Sequence, residues 1–411
     1  MNVFVIPSWF PHRCFPLEGI FLHDQAVALA NLRADWRVAI SLWNQGAGRV
    51  SLEHLRRSPR CLVDALTTRA HDRAIASNLV EFLTPALTWS EAWLHGNREG
   101  VLGANRRNLE RAIEHFGRID MLHAHVSYPG GWVAMRLSEE RRIPFVITEH
   151  MGPFPLPVYA RSDGQLQPYI REPLERADAR IAVSPTLCER IASFGIPKPA
   201  YVPNLVDERL YRPVPREGGG KFVFFTLCQM EQVKGIPDLL LAIRMFLDRL
   251  SEVDRARVEW RFGGYGTQYD NFRARARELG LDPWVTWFGF MSREDARSQY
   301  GACDVFVLAS HHESFGIVVV EAAAFGKPVI ATRSGGPEAT TTPETGLLVA
   351  PGQPAELADA MMSVFHAERR FDPVCIREHF ASRYSRPAVV AGIERVFVEA
   401  RAQASGGTGR S

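Results

Sequence analysis

Between Val305 and Thr332 the chain reads VFVLAS, HHESFG, IVVVEAAAFG, KPVIAT. Two apolar strand candidates, Val305–Ser310 and Pro328–Thr332, flank an Ala-rich stretch that favours helix and that Gly326 stops. Strand, short polar loop, helix, Gly-Lys-Pro turn, strand predicts one βαβ unit of a parallel sheet, and hence an α/β fold. In such sheets ligands sit beyond the carboxyl ends of the strands, where loops meet helix N-termini. Glu313, Ser314, Phe315 and Gly316 fall on that edge. The free backbone N–H groups at a helix start can hold a phosphate without any basic side chain. Glu313 would face hydroxyls of a polar ligand, and Glu321, about two turns later, would reach a second set. Carboxylates accepting from vicinal hydroxyls suit a sugar or a ribose. The alternative is that Glu313 caps the helix and Glu321 is solvated.

The surrounding block, HHESFGIVVVEAAAFGKPVIATRSGGPEATTTPETGLLVAPGQP, resembles the donor site of the retaining nucleotide-sugar glycosyltransferases of GT-B fold, family four. It combines two glutamates, the SFG start, the GKPVIA turn and strand, and a following Gly-Gly. The resemblance implies two Rossmann-like, doubly wound domains facing a cleft, and covers most of the chain, strongest over 222–352.

At 411 residues the chain has room for two domains. A net charge of +2 gives no support for nucleic-acid binding as the main function. The six cysteines are scattered without a CxxC or a His-Cys cluster, which points to a reducing compartment and no zinc site. The N-terminus opens on a strand-like run with no basic n-region, and no apolar stretch of about 18 residues is long enough to span a membrane. A cytoplasmic protein is the expectation.

Along the chain, Asn2–Ile6 reads as a buried strand and Ile20–Asn31 as a helix, with Gly19 between them able to bring backbone close to a ligand. The resemblance places this loop over the donor phosphates and the acceptor. From Gly46 to Gly117 the pattern is mostly helical, with basic stretches (HLRRSPR, NRRNLER) that read as solvated faces or as a surface for anionic lipid or an acidic acceptor. The family's membrane-linked acceptors add a peripheral place at the inner membrane face to the expectation. Asp120–Val126 is a strand whose period of two puts His123 and His125 on one face. With no third ligand near in sequence, metal is not expected. The resemblance places His125 in the cleft near the anomeric carbon, whereas His123 reads as a hydrogen-bonded core residue. Pro144–His150 is a strand ending on Glu149 and His150, acceptor-side candidates, before a proline-rich loop long enough to contact an acceptor.

Arg212–Lys221, with two prolines and three glycines, is the best linker. The expected division is residues 1–211 on the acceptor side, linker 212–221 and a donor domain at 222–386. A final amphipathic helix at 387–403 would pack back on the first domain, ahead of a disordered tail at 404–411.

In the second half, CQMEQVKG carries Lys234 ahead of a helix, where ammonium and helix N-terminus could converge on a diphosphate. The family's segment reads Gly-Arg, then Lys-Gly. Here Cys228 and Gln229 stand where Gly and Arg are expected. Arg333 is one conceivable substitute. The GGYG run is no dinucleotide fingerprint, but the resemblance makes Gly264 part of the wall beside the nucleotide, with Phe290 and Met291 against the base. No Asp-x-Asp pair for a divalent cation occurs in the chain, so the expectation is transfer without metal or other cofactor. The partners implied are a nucleotide-sugar donor and a glycan or lipid-linked acceptor. The residues carrying the chemistry would be His125 and Glu313, with Lys234, Ser314–Gly316 and Glu321 holding the donor. The alternatives are a nucleotide-sugar 2-epimerase and a non-catalytic glycosyltransferase-like partner.

Overall fold

The structure, a computed structural model, describes residues 1–13, 16–45, 63, 66–89, 94–214 and 220–407. The HLRRSPR stretch, half of the expected linker and the last residues of the expected tail lie outside the described residues. Two compact units result, one of residues 1–183, 187–205 and 389 onward, the other of 184–186 and 206–388. The chain changes units at Leu205–Val206, ahead of the Pro/Gly-rich stretch.

Among the described residues the first unit is built on eight strands in the order β3-β4-β2-β1-β5-β6-β7-β8, with β3 at His71–Ala76, β4 at Leu79–Leu83, β7 at Ala179–Ala182 and β8 at Ala200–Tyr201. The central ones are β1 (Asn2–Pro7), β2 (Arg37–Leu42), β5 (Met121–His125) and β6 (Phe145–Glu149). Their β-branched and aromatic residues are buried on both faces, as parallel strands covered by helices must be. Helices α1 (Ile20–Leu32) and α2 (Arg98–Phe116) are among the covering helices. The C-terminal helix, Arg386–Gly407, runs past its expected end, and from Val389 on its residues cluster with this unit. Phe397 stacks on Trp36 at 6.1 Å and Glu394 pairs with Arg33 at 2.9 Å.

The region read as mostly helical contains a hairpin instead, β3 (His71–Ala76) and β4 (Leu79–Leu83), antiparallel to each other, with β4 parallel to β2. The LVEFL run of β4 is apolar enough to fill a sheet position, and Asn78 at the turn anchors it by donating to Ala30 O and Trp36 O. Within α2 the basic stretch is paired with acid: Arg106 meets Glu140 at 2.6 Å and Arg111 meets Asp72 at 2.8 Å.

Among the described residues the second unit is built on a six-stranded parallel sheet in the order β11-β10-β9-β12-β13-β14, with β11 at Val285–Gly289 and β14 at Gly346–Val349. Strand β9 (Phe222–Leu227) lies between β10 (Val258–Gly263) and β12 (Val305–Leu308), and β12 pairs with β13 (Val329–Thr332). Helices α3 (Ile236–Arg249) and α4 (Ile317–Ala324) follow β9 and β12. Phe224 stacks on Trp260 at 4.9 Å with Phe246 edge-on, an aromatic cluster that sets the core under α3.

Both sheets reverse their winding direction, the first between β1 and β5 and the second between β9 and β12. These are the two topological switch points, where loops diverge and leave a crevice at the carboxyl ends of the strands.

Candidate functional site

In the second unit the switch point is occupied by a charged pair. The loop after β9 carries Lys234, the loop after β12 carries Glu313, and Lys234 Nζ donates to Glu313 Oε1 at 2.6 Å. Gly235 allows this. It adopts φ +64°, and a Cβ there would sit 2.0 Å from Ala309 O, so any side chain would push the two loops apart. Ser310 Oγ also donates to Glu313 Oε1, at 2.9 Å, which leaves Oε2 with no hydrogen bond among the described residues. The Glu313 backbone is stitched to the next loop by Glu313 N to Ser334 O (2.9 Å) and Gly336 N to Glu313 O (2.8 Å). The carboxylate is therefore held on a rigid frame with one oxygen available to a ligand hydroxyl.

Gly316 caps the start of α4 with φ +77°. Phe315 is buried and packs against Tyr384, so only its backbone is available to a ligand. Gly264 takes φ +114°, and a Cβ there would meet Cys228 O at 1.8 Å; it brings the β10 loop onto the β9 loop. Met291 is buried against Gly263, while Phe290 is 63% exposed. Arg333 donates to Leu348 O near β14, on the side of β13 away from Lys234. Gln229 is exposed and brings no charge.

Glu321 is tied inward. Its Oε2 accepts from the Tyr300 hydroxyl at 2.8 Å, and the Tyr211 phenol also hydrogen-bonds to it. Burial, followed by the Glu321 charge, pushes the Tyr300 hydroxyl well above its ordinary pKa, so it stays protonated and donates. Sequence reasoning missed both tyrosines, because a lone aromatic residue, on a helix face as Tyr300 is or in a loop as Tyr211 is, reads as packing.

In the first unit the switch point carries imidazoles. His123 and His125 share a face of β5 with ring centroids 4.2 Å apart. His150, just past β6, joins them: its Nε2 lies 3.0 Å from His125 Nδ1 in a hydrogen bond. The structure thus supplies the third histidine that sequence proximity did not. His123 Nε2 lies 2.8 Å from Thr148 Oγ1, while among the described residues Nδ1 of His123 and of His150 are buried without a hydrogen-bond partner and no such trio converges on a metal-binding point. Burial holds His123 and His150 down to about 3 and His125 well below its ordinary value, so all three are neutral at pH 7. Glu149 accepts from the backbone N–H groups of Ser127, His150 and Met151 at 2.9–3.0 Å. Its carboxylate thus ties the loops after β5 and β6 together. Val126, directly after His125, has φ +73°, an outlier for a β-branched residue and a sign of local strain at this edge. Gly19 brings backbone close, but to the carbonyl of Trp9, which a Cβ would meet at 2.7 Å.

The family model described as Glycosyl transferases group 1 matches residues 207–377, and the one described as Glycosyltransferase Family 4 matches 62–210. The chain belongs to this glycosyltransferase family. It is 35% identical over 136 residues to a D-inositol 3-phosphate glycosyltransferase of Corynebacterium jeikeium, covering 32% of each chain. The chain thus spans about a third of the length of the curated relatives it matches first. Its fold is that of sucrose-phosphate synthase from Thermosynechococcus elongatus, with a TM-score of 0.73 at 20% identity and 98% and 99% of the two chains covered. Anabaena HepE, solved in complex with UDP, superposes with a TM-score of 0.66 at 17% identity, covering 96% and 98%. The two doubly wound sheets are those of the GT-B fold.

Proposed function

We propose that the protein is a retaining glycosyltransferase that moves a sugar from a nucleotide-diphosphate donor to an acceptor hydroxyl in glycan, polysaccharide or glycolipid assembly. The observation that carries this reading is the Lys234–Glu313 pair, 2.6 Å apart at a switch point, in a chain of this family. The ammonium and the N-terminus of α4 at Ser314–Gly316 supply positive potential for a diphosphate leaving group. Glu313 Oε2 accepts from hydroxyls of the transferred sugar, and Glu321 from the ribose. His125 contributes a neutral hydrogen bond to the reacting sugar, and Glu149 and His150 serve the acceptor side. Gly19, Gly264, Phe290 and Met291 complete the donor site.

No side chain stands out as a covalent nucleophile, so the displacement runs on one face. The acceptor oxygen forms its bond to the anomeric carbon as the bond to phosphate breaks. The departing diphosphate oxygen keeps the electron pair and takes the acceptor proton. The reading includes transfer without a divalent cation, since no Asp-x-Asp pair is present to hold one.

A panel of UDP-, GDP-, ADP- and dTDP-sugars, with and without a chelator, tests this through thermal stability. One nucleotide sugar at 100 times its Kd adds about 2.7 kcal/mol and raises Tm visibly. Silence across the panel would instead favour a non-catalytic glycosyltransferase-like partner, and loss of the shift with chelator would reverse the metal assignment.

Tyr300→Phe isolates the contact behind Glu321. Its ring is stacked with Phe325 (centroids 5.9 Å apart), so packing survives and only the hydrogen bond is lost. A carboxylate that keeps its Tyr211 contact but loses the Tyr300 hydroxyl costs about 1 kcal/mol of donor binding, roughly fivefold in donor KM, with kcat changed less. Unchanged donor KM with lowered Tm would make Tyr300 a purely structural residue.

A further inference from the structure

The first unit holds a cavity of about 550 Å³ at the carboxyl ends of β1, β2, β4 and β5. We propose that it is a saccharide-binding site that seats the terminal sugar of an oligosaccharide acceptor against aromatic faces. The inference rests on the glycosyltransferase reading above and names the acceptor class for it.

The cavity wall includes Trp9, Trp43, Trp89, Tyr128, Tyr159 and Tyr169. The three tyrosines pack together with ring centroids 4.8–6.2 Å apart and planes inclined by 53–87°. Inclined faces make a concave corner and not a slot between parallel plates. A planar base stacks best in such a slot, whereas a puckered pyranose presents C–H groups in several directions to the electron-rich faces of the rings. Between the rings the wall carries Glu18, Thr88, Arg98 and Gln167, a mix of acceptors and donors suited to sugar hydroxyls. An acyl chain would strip water from those groups without replacing their hydrogen bonds. A phosphorylated acceptor would call for clustered cations, but here Arg98 shares the wall with Glu18, and its guanidinium lies 5.2 Å over the Trp132 ring.

The cavity also touches the imidazole cluster. Ser8, part of its lining, donates through Oγ to His125 O at 2.7 Å and accepts from Gly130 N at 2.9 Å. A sugar seated here lies beside the strand end that carries His125. A second cavity, of about 570 Å³, shares His95, Arg98, Gln167 and Tyr169 with the first and continues past Trp132 and Arg176. Two spaces joined along one wall fit consecutive units of a chain better than a single ring. Each also falls within the roughly 300–1,000 Å³ range of small-molecule sites.

The test uses tryptophan fluorescence of the full chain, since Trp9, Trp43 and Trp89 line the site. The probes are glucose, maltose and maltotetraose, the corresponding cello- and chito-series, inositol 3-phosphate and inorganic phosphate. The expected result is saturable binding by at least one saccharide series, with affinity rising at least fivefold from mono- to tetrasaccharide. Trp9→Ala and, independently, Tyr159→Ala should weaken it at least tenfold while leaving the nucleotide-sugar thermal shift in place. No saccharide response beside an intact nucleotide-sugar shift would overturn the cavity assignment and leave the glycosyltransferase reading standing. So would length-independent affinity, or binding of inositol 3-phosphate alone. Saccharide binding without any nucleotide-sugar shift would uphold the cavity and sink the wider reading.

Discussion

Replacing Lys234 with methionine is expected to lower kcat/KM for the sugar donor by about 30- to 1,000-fold, and to lower Tm by only a few degrees. The kinetic figure comes from losing a charge-assisted contact to a developing diphosphate, about 2–4 kcal/mol of transition-state stabilisation. The loop Cys228–Gly235 has glutamine at 229, so Lys234 is its one cation. Its removal is therefore not buffered by a neighbouring guanidinium in that loop. Stability should respond far less. The Lys234 and Glu313 side chains are 19% and 13% exposed, and a pair in contact with solvent is worth about 1 kcal/mol after screening. For a unit of this size that is about 2–4 °C. Glu313→Gln provides the contrast, because its amide oxygen still accepts from Lys234 Nζ while the carboxylate is lost. A Lys234→Met enzyme within threefold of the parent in kcat/KM would remove Lys234 from the leaving group, whatever happened to Tm.

The parts of this site that could be read in advance are those encoded locally. The βαβ unit around Glu313 was legible because apolar strands, an Ala-rich helix and Gly326 follow one another within 28 residues. His123 and His125 were legible as neighbours because a strand repeats every second residue. What could not be read is contact between distant loops. Lys234 and Glu313 are 79 positions apart, and only the β9–β12 adjacency makes them partners. His150 reaches His125 through the register that sets His125 opposite Thr148, which no spacing in the sequence reveals. The β3–β4 hairpin was missed because exposed β3 lacks apolar alternation and its short Ser77–Asn78 turn lies in a region of helical composition. Tyr300 and Tyr211 illustrate a further limit: whether a buried phenol serves packing or a carboxylate depends on which way its oxygen points.

Lowering the pH from 7 to 5 is expected to destabilise the first unit by about 4 kcal/mol. His123 and His150 titrate at about 3 when folded, against 6.5 in an open chain. Between those values the unfolded state binds more protons than the folded state, so stability rises with pH and is lost as pH falls below 6.5. At pH 5 each imidazole accounts for about 2 kcal/mol, 1.5 pH units at 1.36 kcal/mol each. Both rings are fully enclosed, so solvent screening does not reduce the effect. His125, shifted in the same direction by burial and by its two neighbours, adds to it. Glu149 works the other way: burial raises its folded pKa, which offsets part of the loss. Asn204, close to His150, tempers that residue's shift. For a unit of about 200 residues the net change is on the order of 10 °C in Tm. Calorimetry of the wild type and of His123→Asn at both pH values separates the cause, since asparagine keeps a polar group but cannot titrate. The variant should lose about 2 kcal/mol less than the wild type on acidification. Equal pH slopes for the two proteins would show that His123 is already charged or solvated in the fold. The neutral imidazole cluster assigned to the β5–β6 edge would then have to be abandoned.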